Sequence, residues 1–106
     1  MSQQQLEQQY QEIGDHLVLT DGVVKGSMFG DQCLKINKKA FAMFYKGDMV
    51  FKLPEGNNAA ALEGAATFEP SPGKQMNGWL RVPNDHAEQW EELSGAALQY
   101  VRSLTE

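Results

Sequence analysis

Apolar positions near the start of the chain fall at Leu6, Tyr10, Ile13 and Leu17, spaced by four, three and four residues with Gln and Glu between them. That period predicts an amphipathic helix over residues 3–17 with one face to bury. A second helical pattern, Ala87, Trp90, Leu93, Ala97, Leu98, Val101 and Leu104, follows Pro83 and the pair Asp85 and Glu88, whose three-residue spacing reads as a capping box. It predicts a closing helix over about 85–104. Between the two, the period shortens. Val23–Met28, Cys33–Ile36, Ala40–Tyr45 and Met49–Leu53 are short runs rich in β-branched and aromatic residues, and Gly30-Asp31, Asn37-Lys38 and Lys46-Gly47-Asp48 separate them. Connections that short join antiparallel neighbours and cannot carry a parallel crossover.

After Pro54, Asn57 can cap a short Ala-rich helix that Gly64 ends, Phe68–Gly73 with Pro70 and Pro72 reads as an ordered loop, and Gly78–Val82 reads as a last strand stopped by Pro83. The fold class is therefore α+β in two layers: one antiparallel sheet of about five strands, N- and C-terminal amphipathic helices, and one short middle helix. With 106 residues, no repeat and no linker, residues 1–106 read as a single domain with one core.

Strand alternation places Leu34, Ile36, Phe41, Met43, Tyr45, Met49, Phe51, Leu53, Leu80 and Val82 on one face beneath the helices. The opposite parity holds Lys35, Ala42, Phe44, Val50, Lys52, Trp79 and Arg81, more apolar than a solvated face requires. Either the Pro-rich loop covers that face, or another chain or a ligand docks there through Phe44, Val50, Trp79 and Arg81.

Composition and charge narrow the function. The net charge of −5 excludes broad attraction to nucleic acid or anionic lipid. Its distribution is uneven: residues 1–22 sum to −4, residues 23–53 to +4 and residues 54–106 to −5. The basic middle either shields turns and sheet edges or meets a local anion, for which Lys25, Lys52 and Lys74 are the candidate contacts. Direct DNA binding through that block is disfavoured, because no groove-reading helix with clustered Arg or Lys is present.

No apolar run approaches the length of a membrane helix and no signal-peptide layout opens the chain, so a cytoplasmic location is expected. The single cysteine, Cys33, reads as a small apolar sheet residue rather than a reactive thiol. His16 and His86 stand apart from each other and from Cys33, and read as solvated. No phosphate loop, metal-ligand spacing or nucleophile signature occurs, so neither an enzymatic site nor a cofactor is expected.

The strings Gly26-Ser27-Met28-Phe29-Gly30, Cys33-Leu34-Lys35-Ile36-Asn37, Ala40-Phe41-Ala42, Val50-Phe51-Lys52-Leu53-Pro54, Phe68-Glu69-Pro70, Gly73-Lys74-Gln75-Met76 and Trp79-Leu80-Arg81-Val82-Pro83 occur in that order. Together they resemble the N-terminal domain of TfoX/Sxy-type bacterial competence regulators, over about residues 22–104. The resemblance implies a two-layer α+β fold, a bacterial cytoplasmic protein without enzymatic activity, and regulation of natural transformation genes through protein contacts. A protein partner or a homodimer is the expected mode of action, with a small-anion or nucleotide binding module as the alternative. Regulators of this family carry a helical C-terminal domain after this one, whereas this sequence ends at Glu106 and reads as a stand-alone N-terminal domain. It also departs from the family at Lys38, where Gly often follows the turn Asn, and at Lys74, where Arg is common.

Overall fold

The computed structural model describes residues 2–105; Met1 and Glu106, which belong to the single-domain expectation, lie outside the described residues. The first helix, α1 (Gln3–Asp21), opens on Ser2, whose side chain accepts from the Gln5 N–H while the Gln5 side chain returns to the Ser2 N–H. Gly22, in the left-handed region at φ 73°, ends it. The helix buries Leu6, Tyr10, Ile13 and Leu17, as their spacing requires, together with Gly14. A Cβ at Gly14 would stand 3.0 Å from Leu34 Cδ2, so glycine here permits close approach of helix and sheet.

Four strands follow as a meander: β1 (Val24–Met28), β2 (Asp31–Ile36), β3 (Lys39–Tyr45) and β4 (Asp48–Lys52). Each turn has two residues, Phe29-Gly30, Asn37-Lys38 and Lys46-Gly47, and all six residues have positive φ between 49° and 87°. That is the backbone of type I′ hairpins, whose twist matches that of the flanking strands. The chain then passes through a 3₁₀ turn (Asn58–Ala61), with the Asn57 side chain accepting from the Ala60 N–H, and enters β5 (Ala66–Thr67). β6 (Trp79–Val82) inserts between β4 and β5, giving a six-stranded, wholly antiparallel sheet in the order β1-β2-β3-β4-β6-β5. The strand beyond the expected five is the two-residue β5, too short for alternation to reveal.

The closing helix differs from expectation at its start. Residues Asn84–Gln89 form a 3₁₀ turn without a side-chain cap, so the Asp85 and Glu88 box does not form, and α2 runs Trp90–Thr105. Asp48 sets this geometry: its carboxylate accepts from Arg81 Nε and from the Asn84 N–H, each at 2.9 Å. α1 and α2 share one face of the sheet, and their buried residues form one core with Leu34, Ile36, Phe41, Phe51 and Val82. At the far ends of the helices Arg102 pairs with Asp21 at 3.1 Å.

One strand breaks the expected alternation. Leu34 pairs with Ala42 and Lys35 with Ala40, which leaves Phe41 as the extra residue of a β-bulge on β3. Every later side chain of β3 is thereby turned over. Ala42 and Phe44 point into the helix-covered core, while Met43 and Tyr45, expected there, lie on the opposite face.

Candidate functional site

The face turned away from the helices carries its own cluster: Cys33, Met43, Val50, Phe68 and Trp79, with Met28, Tyr45 and Met76 packed around it. Residues 68–77 cross this face as a strap, fixed by its own backbone. The Phe68 N–H donates to the Trp79 carbonyl at 2.7 Å, Met76 to Phe68 at 2.8 Å and Trp79 to Met76 at 3.1 Å. The Glu69 side chain accepts from the Gly73 N–H. The strap seats the Phe68 ring edge-on against Tyr45, centroids 4.9 Å apart. Of the two readings of this face, cover by the Pro-rich segment is the one found.

The four residues expected to form a partner surface are accordingly not available as one. Phe44 lies beneath α1, 7% exposed, with its ring 5.4 Å from that of Tyr10. Val50 is fully buried and Trp79 nearly so. Arg81 is held by Asp48 and lies over the Tyr45 ring at 4.9 Å. Nor do the three candidate lysines converge. Lys25 pairs with Asp15 and donates to Gln11 Oε1 at 3.0 Å, both on α1. Lys52 is on the opposite face, its Nζ 5.9 Å from the Trp79 ring centroid. Lys74 is exposed on the strap.

Two features were not foreseen. The first is a cleft of about 380 Å³ where the strap stops short of the sheet's end, with Met28, Met76, Trp79 and Leu104 as apolar walls and Lys39 and Lys52 beside them. Lys39 directly follows the Asn37-Lys38 turn, and only the arrival of the last turn of α2 makes its position part of a site. The second is the edge of β1. In a two-residue hairpin the pair flanking the turn is hydrogen-bonded and the pairs then alternate. Met28, Gly26 and Val24 therefore bond to β2, and the backbone groups of Lys25 and Ser27 point away from the sheet. Apolar side chains stand exposed on this strand and its turn, Val24 at 62% and Phe29 at 63%.

Burial pushes the Cys33 thiol upward, against a smaller opposing pull from Lys35, so the thiolate is disfavoured. His86, expected to be solvated, is half-buried and its Nε2 lies 2.8 Å from the Glu63 carbonyl. His16 lines a groove between the helices with Glu12, Glu88 and Glu91. Among the described residues no three His, Cys, Asp or Glu side chains gather as metal ligands, and no helix is long and apolar enough to cross a membrane. Compared with protein-family models, with curated proteins and with solved structures, the chain matches none.

Proposed function

We propose that this chain is a non-enzymatic, cytoplasmic regulatory domain of the TfoX/Sxy N-terminal kind, and that it acts by protein contact through the edge of β1, with a second copy of itself as the partner. The observation that carries this reading is Phe29. A large aromatic side chain stands exposed on a turn residue at φ 56°, where Asn or Gly would be unstrained. A residue that breaks the local preference for both exposure and backbone supports a role in contact rather than in folding.

The edges of the sheet point the same way. β5 is two residues long and soon followed by Pro70, a protected edge. β1 offers five residues without proline, and its one lysine is drawn to Asp15. Pairing of β1 with a second β1 satisfies the outward groups of Lys25 and Ser27 and covers Val24 and Phe29. The resemblance supports placing such a contact in the control of transformation genes.

Sedimentation velocity over a wide concentration range tests this. The parent chain is expected to dimerise. Ser27→Pro, which removes an outward N–H and leaves the β2 ladder whole, and Phe29→Asn, which suits the turn, are each expected to give folded monomers. A parent that stays monomeric at its highest soluble concentration, or variants that dimerise equally well, would count against the proposal.

A further inference from the structure

The cleft at the end of the strap combines features that no packing argument for the fold requires. Among the described residues three of the nine cations are paired with carboxylates, Lys25 with Asp15, Arg81 with Asp48 and Arg102 with Asp21, and six lysines are not. Of these six, Lys52 and Lys39 are the two that line the cleft. Lys52 is half-buried, its stem among apolar strand residues and its Nζ 5.9 Å from the Trp79 ring centroid.

Its position is also defined. Gly78 is at φ 89°, and a Cβ there would stand 3.0 Å from Lys52 Nζ, so the ammonium lies over Trp79 in a space that glycine leaves open. Around it the walls are apolar: Trp79, the two flexible thioethers of Met28 and Met76, and Leu104, which is 59% exposed. No carboxylate among the described residues lines the cleft, and its volume falls in the range of small-molecule sites, about 300–1,000 Å³.

We propose that this cleft binds an amphipathic organic monoanion, a free aliphatic or aryl carboxylate whose apolar body lies on Met28, Met76, Trp79 and Leu104 and whose carboxylate meets Lys52 and Lys39. The charge selects the sign of the ligand and the walls select its body. A polyphosphate fits less well, because the cleft offers two cations against largely apolar surroundings. The cleft takes only the Met28 side chain from β1 and none of the outward backbone groups of Lys25 and Ser27 nor Val24 or Phe29, so the two proposals are tested by different variants.

Calorimetric titration of the full chain with decanoate, and in parallel with decanol as the neutral counterpart, tests the assignment. Decanoate is expected to bind, and decanol to bind about tenfold more weakly, the equivalent of one charge-assisted hydrogen bond. Lys52→Met keeps the apolar stem and is expected to lower decanoate affinity by a similar factor while leaving decanol unchanged. Should that variant fold poorly, Lys39→Met, at an exposed position, carries the same expectation. Ser27→Pro is expected to bind decanoate as the parent does even where it no longer dimerises. The proposal is overturned by absence of decanoate binding at millimolar concentration, by equal affinity for decanol, by unchanged affinity in both lysine variants, or by binding to phosphatidylglycerol vesicles without binding to free decanoate.

Discussion

Replacing Phe44 with Ala separates the two ways in which β3 could meet the helices. If alternation ran unbroken from Ala40, Phe44 would turn away from Tyr10 to the strap-covered face, at the half-buried margin that Tyr45 now occupies, and its truncation would remove only a partly buried ring. With the bulge at Phe41, the ring is 7% exposed in the helix-covered core and tilted at 37° against Tyr10, centroids 5.4 Å apart. Truncating a buried Phe costs about 3–5 kcal/mol, of which a ring pair of this kind supplies about 0.5–1.5. Against a domain stability of about 5–15 kcal/mol that is a large fraction. Urea denaturation followed by far-ultraviolet circular dichroism reads it directly: with slopes of about 1–3 kcal/mol per molar for small domains, the midpoint falls by about 2 M. Phe44→Leu, which keeps most of the buried volume, is expected to cost much less. A Phe44→Ala variant destabilised by under about 1 kcal/mol, with an unchanged spectrum, would refute the placing of Phe44 in the helix-covered core against Tyr10, and with it the bulge that puts it there.

Two further outcomes follow from the backbone and from the charges. Lys38 is at φ 70°, where an L-residue with a Cβ is strained by about 1–2 kcal/mol; Lys38→Gly relieves this, less the extra unfolded-state entropy of glycine, and is expected to stabilise by about 0.5 kcal/mol. A lower melting temperature in that variant would contradict the type I′ assignment. The Thr20 hydroxyl, and after it the Arg102 guanidinium, hold the Asp21 carboxyl below its ordinary range. Its contribution is therefore full above the unfolded carboxylate pKa of about 3.9 and is lost as pH falls through the lower folded value. Arg102→Met is expected to make the melting temperature less sensitive to acid in that window, and an unchanged acid profile would argue that the pair contributes nothing.

How much of this was legible in the sequence depended on whether a local pattern had a local cause. The two amphipathic faces and the four-strand meander were readable because period and turn size are properties of adjacent residues. The turns were misplaced only where residue choice defied preference: Phe29-Gly30 forms the first hairpin, but a phenylalanine in the left-handed region carries no turn signal. The bulge left no trace. Ala40, Phe41 and Ala42 offer no glycine to mark it, and because apolar side chains fill both faces of β3, either register would bury a plausible set. The error then propagated, since one unpaired residue moved Phe44 from a supposed partner surface into the core. The cleft was hidden for a different reason: Lys39, Lys52, Trp79 and Leu104 come from four elements, and no spacing relates them until the sheet, the strap and the last turn of α2 meet. What the sequence did disclose was Lys52 itself, an ammonium set among apolar strand residues. Named there only as one of three candidate anion contacts, it gains a specific partner chemistry once the structure sets Trp79, Met28, Met76 and Leu104 around the same cleft.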